Sequence, residues 1–174
     1  MSAGCEVRRA TPEDAWGIAR VRVRGWQAGY AGLMPQAYLD GMDIEANAER
    51  TRQWRWNDPG ARHWVCVLDG DIVGWTSTFF PARGDDLADT VGEIVACYAL
   101  PEVWGVGVGY RMLEEAVGCL REQGAVALVL WVLETNARAQ GFYERQGFMP
   151  DGARKTEPFL PEADLISVRM AKPL

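Results

Sequence analysis

Histidine and lysine are scarce in this chain of 174 residues: there is one His, and only Lys155 and Lys172 among eighteen basic side chains. The four cysteines (Cys5, Cys66, Cys97, Cys119) are far apart and none lies in a C-x-x-C pair. A zinc centre built from clustered thiolates and imidazoles therefore has no basis, and no metal is expected. Three of the cysteines sit in apolar or helix-like runs, which reads as buried or spare reduced thiols of a cytoplasmic protein. No Lys/Arg run exceeds Arg8-Arg9 and the net charge is −6, so a phosphate-tracking nucleic-acid binder is not expected. No stretch approaches the roughly 18 apolar residues of a membrane span. The start of the chain lacks a basic-then-apolar leader, because Arg8 and Arg9 run into Thr11-Pro12-Glu13-Asp14.

What is present suits one globular domain over residues 1–174, with 48% hydrophobic and 24% charged residues and enough length for its own core. The charge is uneven. Residues 1–60 hold eight basic and eight acidic side chains, so the whole −6 belongs to residues 61–174.

Periodicity divides the chain into alternating elements. Glu6–Arg9 reads as a short strand. Thr11 as N-cap, Pro12 at the first helical position and two acids then start a helix, with Ala15, Ala19, Val23, Trp26 and Tyr30 on one face. Leu33-Met34-Pro35 ends it, Gln36–Leu39 makes a short turn of helix, and Ile44–Asn57 reads as a more polar helix. Trp64–Leu68 and Ile72–Phe79 form a hairpin about Asp69-Gly70-Asp71. An acidic loop (Pro81–Asp89) leads into a strand at Val91–Leu100. A helix over Gly107–Gln123, an apolar strand over Ala125–Leu133, a helix over Asn136–Gln146 and a last strand over Leu165–Met170 follow. The order β-αα-βββ-α-β-α-β implies an α/β (α+β) fold with a mixed sheet and helices on both faces.

Residues 91–113 carry the strongest chemical signal. A strand runs into Pro101, then a turn spaced by Gly105, Gly107 and Gly109, then a helix. Glycine lets backbone amides approach a ligand, and the helix start adds partial positive charge, which suits phosphates. A P-loop is ruled out because Tyr110-Arg111 follows Gly109, and the dinucleotide fingerprint fails at Tyr110 and Met112. Some thirty residues on come a buried strand, Asn136, a helix with Tyr143, and Gly147-Phe148.

Together these motifs resemble the GNAT superfamily of N-acetyltransferases, which bind acetyl-coenzyme A. Trp104-Gly105-Val106-Gly107-Val108-Gly109 fills the frame of its phosphate loop, and Asn136, Tyr143 and Gly147-Phe148 match its later motif. The stretches Val7–Asp14 and Trp26–Leu39 also look like one branch of it. The resemblance implies the GNAT-like acyl-CoA N-acyltransferase fold, with a mostly antiparallel mixed sheet of six to seven strands. It implies a cofactor site of Cys97, Tyr98, Ala99 and Leu100 for the pantetheine arm. Gly105, Val106, Gly107, Val108, Gly109 and Tyr110 would hold the diphosphate, and Asn136 and Tyr143 would lie beside the arm. Tyr143 would be the general acid towards the departing thiolate, and Glu93 the candidate general base in direct transfer. From the residues alone, Glu93 also fits an ion-pair partner, Tyr143 a packed aromatic and Asn136 a helix cap. By strict alternation Glu93, Val95, Cys97 and Ala99 share a face unless a bulge intervenes. His63 reads as structural.

The loop departs from the family pattern at Trp104, where Gln or Arg is usual, and at Val106. No cation lies between Val103 and Tyr110, so Arg111, Arg138 and Arg145 are the nearest helpers. For the acceptor, Trp26, Tyr30 and Trp75, with Trp54 and Tyr98 nearby, suggest an aromatic pocket. The acids Asp85, Asp86 and Asp89 would favour a cationic small-molecule amine. The alternatives are a protein N-terminus or lysine as acceptor, or a non-catalytic acyl-CoA-sensing domain. Homodimerisation is common in the family.

Overall fold

The computed structural model describes residues 4–174. Seven strands form one sheet: β1 (Glu6–Arg9), β2 (Ala61–Leu68), β3 (Asp71–Phe79), β4 (Val91–Ala99), β5 (Ala127–Leu133), β6 (Met149–Thr156) and β7 (Ile166–Pro173). Their order is β1-β2-β3-β4-β5-β7-β6, and only the β4–β5 pair is parallel. The helices are α1 (Ala15–Gly29), α2 (Gln36–Asp40), α3 (Ile44–Arg52), α4 (Val108–Glu122) and α5 (Ala137–Arg145). This is the mixed, mostly antiparallel sheet expected of the sequence.

Glycines record how the helices seat. A Cβ on Gly74 of β3 would meet Met112 and Val108, and one on Gly92 of β4 would meet Leu120, so α4 lies directly on that face. On the opposite face Gly25 of α1 brings the helix against Tyr98 and the Ala99 carbonyl. Ile18 and Val21 of α1 bury with Val65, Val73 and Trp75, while Leu113, Ala116 and Leu120 bury with Ile94, Leu128, Leu130 and Phe148. Each fully buried aliphatic side chain contributes about 1.5–3 kcal/mol. The α1 start is tied to β1, because Asp14 accepts the Thr11 amide at 2.8 Å and both Arg8 guanidinium nitrogens at 2.8 Å.

Three expectations are corrected. Strand β6 has no apolar alternation to announce it; its residues are almost all exposed, as suits an edge strand carrying Pro150 and Gly152. The helix read to Asn57 stops at Arg52, since Trp54 and Trp56 turn inward to pack on His63, at 4.8 and 5.4 Å between ring centres. Cys5 and Cys66 are not free thiols but form a disulfide, with Cα atoms 6.2 Å apart. Register explains the pairing: Val7 faces Cys66 across β1 and β2, and Cys5 lies two residues from Val7, on the same side. No helix among the described residues is long and apolar enough to cross a membrane.

Candidate active site

The site begins with an irregularity in β4. Against β3, Ser77 pairs with Ala96 but Thr78 pairs with Ile94, so Val95 is an extra residue and the strand bulges there. Side-chain direction shifts at that point. Gly92 faces α4 and the Cys97 thiol points at the Gly109 carbonyl in α4, whereas Tyr98 faces α1. Strict alternation is therefore broken, and Glu93 does not share a face with Cys97.

Pairing of β4 with β5 also ends here, running only from Val91–Ala127 to Ile94–Leu130. Beyond it the strands part and open a cleft of about 570 Å³. Its walls are Val95–Ala99 of β4, Leu130–Val132 of β5, the turn before α4, and Asn136, Phe142 and Tyr143 at α5. Strand edges that have lost their partner offer free amides and carbonyls to an extended ligand.

The turn before α4 has a backbone that leaves its amides open. Gly105 and Gly107 have φ of 81° and 93°, in the left-handed region, and a Cβ at either would project into open space. Among the described residues no amide from Gly105 to Tyr110 donates to a turn or cap carbonyl; the first helical bond runs from the Arg111 amide to the Gly107 carbonyl. These free donors sit at the positive end of a 15-residue helix. The acid nearest the turn, Glu102, is paired with Arg24 of α1.

Trp104 takes over a role the motif did not show. Its indole N–H donates to the Ala99 carbonyl at 2.9 Å, and the Arg138 guanidinium stands 3.4 Å from its ring centre. Both residues line the cleft, as does Arg145, and among the described residues no carboxylate pairs with Arg138 or Arg145. The cation missing from the loop is thus delivered by α5.

Of the expected cofactor residues, Cys97, Tyr98, Ala99, Gly105, Gly107, Val108, Gly109, Tyr110, Asn136 and Tyr143 line the cleft; Leu100 is buried beside it and Val106 is exposed. Asn136 also caps α5, accepting the Ala139 amide at 3.1 Å. Tyr143 is packed edge-on to Phe142 and Phe148, and burial raises its pKa well above that of a free phenol. Burial pushes the Cys97 thiol up to about 12, so it remains a thiol at neutral pH. The hydroxyls of Tyr30 and Tyr98 approach to 3.3 Å.

Glu93 lies elsewhere. The residue is only 3% exposed and its carboxylate is gripped by Arg83, through Nε at 3.0 Å, Nη2 at 2.8 Å and the backbone amide at 3.1 Å. It does not line the cleft. The acidic loop also stays away: Asp86 bonds Arg169 at 2.8 Å, and none of Asp85, Asp86 and Asp89 borders the cleft. Trp75 is a core residue, stacked 5.9 Å from Tyr98 and 5.5 Å from Trp54. Trp26 instead lines a second cavity of about 780 Å³ between α1, α2, α3 and Phe159. Trp26 contacts Tyr30 and Tyr98, at 5.0 and 6.1 Å between ring centres, and those two rings line the first cleft, so one aromatic cluster borders both cavities. His63 bonds Ser77 at 2.9 Å and borders neither cavity.

Residues 26–148 match the Acetyltransferase (GNAT) family. The chain is 31% identical over 148 residues to an uncharacterised N-acetyltransferase of Archaeoglobus fulgidus, covering 81% of this chain and 90% of that one. It is 28% identical over 132 residues to an uncharacterised N-acetyltransferase of Bacillus subtilis, covering 75% and 72%. Among solved structures, the PaiA N-acetyltransferase of Thermoplasma acidophilum, in complex with coenzyme A, superposes with a TM-score of 0.75. That pair is 20% identical and covers 98% of this chain and 99% of that one. The chain belongs to the GNAT family and is an N-acetyltransferase.

Proposed function

We propose that the protein moves the acetyl group of acetyl-CoA directly to a primary amine of a small molecule. The observation that carries this reading is the cleft at the β4–β5 split, which joins unpartnered strand edges to the free amides of Gly105–Tyr110. An extended thioester-bearing arm fits along β4, with its diphosphate at the turn and Arg138 and Arg145 alongside. Acetyl-CoA supplies the activated acyl group when bound.

The amine nitrogen attacks the thioester carbonyl carbon, the C–N bond forms and the C–S bond breaks. Tyr143, held protonated by burial, gives its proton to the departing thiolate, and its phenolate is reprotonated from the water that receives the proton shed by the nitrogen. Burial pushes the Cys97 thiol up to about 12 and disfavours the thiolate that an acyl-enzyme on Cys97 would need, which supports direct transfer. In this reading Glu93 is not the base. It fixes β4 through Arg83, as a positioning residue, and the ammonium proton leaves to water at the open side of the cleft. The test is release of coenzyme A thiol with a panel of primary amines. Turnover that needs an amine and falls in Tyr143→Phe supports the reading. Tight acetyl-CoA binding without turnover for any amine would favour a non-catalytic sensing domain.

A further inference from the structure

The second cavity holds an unexpected charge pattern. Arg22 of α1 and Arg50 of α3 both line it, and among the described residues neither has a carboxylate within 4.0 Å. Arg22 lies instead against Trp26 and Trp75, 5.8 and 5.6 Å from their ring centres. The one acid in the lining, Asp43, already accepts the Ala46 amide at 2.7 Å as the cap of α3. Asn47 also lines it, its side-chain amide donating to the Asp43 carbonyl at 2.7 Å, and the rest is mostly apolar and aromatic: Trp26, Tyr38, Met42 and Phe159, with Phe159 6.0 Å from both Trp26 and Tyr38. A polyamine placed there meets two guanidinium groups and one committed carboxylate. A carboxylate on an apolar body meets complementary partners throughout.

We infer that this cavity selects acceptors that carry a carboxylate, namely amino-acid-like primary amines with an aromatic or long aliphatic side chain. The assignment rests on the acetyl-transfer reading above. The carboxylate docks on Arg22 and Arg50 and the side chain on Trp26, Met42 and Phe159. The amine, on the carbon that bears the carboxylate, faces Tyr30 and Tyr98, which contact Trp26 and line the acetyl cleft. The same arrangement replaces the cationic acceptor suggested by the acidic loop, whose carboxylates border neither cavity.

The test compares L-phenylalanine and L-methionine with phenethylamine and spermidine, following thiol release from acetyl-CoA. The carboxylate-bearing amines are expected to exceed phenethylamine in kcat/KM by about tenfold or more, the scale of one charge-assisted hydrogen-bonded contact. Arg50→Gln should bring that ratio towards unity through the KM for phenylalanine, with the KM for acetyl-CoA unchanged. Arg50 is exposed and among the described residues has no ion pair, so its replacement is expected to leave the fold intact. Preference for phenethylamine or spermidine, or an unchanged ratio in Arg50→Gln, overturns the inference while leaving acetyl transfer intact. Absence of thiol release with every amine, together with no heat of coenzyme A binding, overturns both.

Discussion

Arg138, in the first turn of α5, sets its guanidinium 3.4 Å from the centre of the Trp104 ring, in the turn that leads into α4. The indole is itself fixed by its bond to the Ala99 carbonyl, so it works as a platform for a cation. Stacking on tryptophan leaves the guanidinium edge free to donate, which a salt bridge would not.

Arg138→Met is therefore expected to weaken coenzyme A binding about tenfold, the worth of one charge-assisted contact. It should also flatten the dependence of affinity on salt, since a cation facing the phosphates has been removed. Trp104→Leu should give a similar loss by releasing Arg138. Calorimetry at two ionic strengths measures both, and an unchanged affinity in either variant would remove the platform role.

Tyr143→Phe is expected to lower kcat by about 100-fold, the usual weight of a lost general acid, with little change in the KM for acetyl-CoA. Burial raises the Tyr143 pKa, so the proton is still present where a free phenol would lose it. The wild-type rate should accordingly show no alkaline fall below about pH 10. Steady-state kinetics across pH decide the matter.

Glu93→Gln is expected to act on stability first. Replacing a buried carboxylate held by three Arg83 donors should cost about 1–3 kcal/mol in chemical denaturation. The slope of rate against pH should persist, because the amine loses its proton to water. A loss of kcat matching that of Tyr143→Phe, with disappearance of the pH slope, would return the base role to Glu93.

His63 predicts an acid limb of stability. Burial and nearby Arg9 lower its pKa to about 4, below the ordinary value of 6.5. The unfolded chain therefore binds a proton that the folded chain refuses between those values. Stability is complete above about pH 6.5 and falls as the pH drops towards 4. With partial screening by solvent the change is on the order of 1–2 kcal/mol. Denaturation midpoints at pH 7.5 and 4.5 should differ less in His63→Gln than in the wild type.

Much of the fold was legible because its signals are local. The Thr11–Asp14 helix start, the Asp69-Gly70 hairpin and the apolar run of β5 each declare themselves within a few residues. Strand β6 did not, since an exposed edge strand has no buried face to impose a period on its sequence. Among site residues, Asn136, Tyr143 and the glycine turn were readable as motif, and the cleft collects them. Trp75 was misplaced because a tryptophan at strand spacing reads the same whether it faces a ligand or the core.

The sequence by itself determined where backbone freedom, capping and hydrophobic period lie, and with them most of the element order, the glycine turn before α4 and the family. These depend on dihedral preferences and side-chain spacing over short stretches. The tertiary structure alone decided which charges meet. One extra residue at Val95 turns β4 and separates Glu93 from Cys97; α5 brings Arg138 onto Trp104; and the packing of α1 beside α3 gathers Arg22 and Arg50 in one cavity. The scarcity of lysine and the net charge of −6 gave no hint of this. Recognition depends on the few ångströms around each guanidinium, a distance that only packing sets.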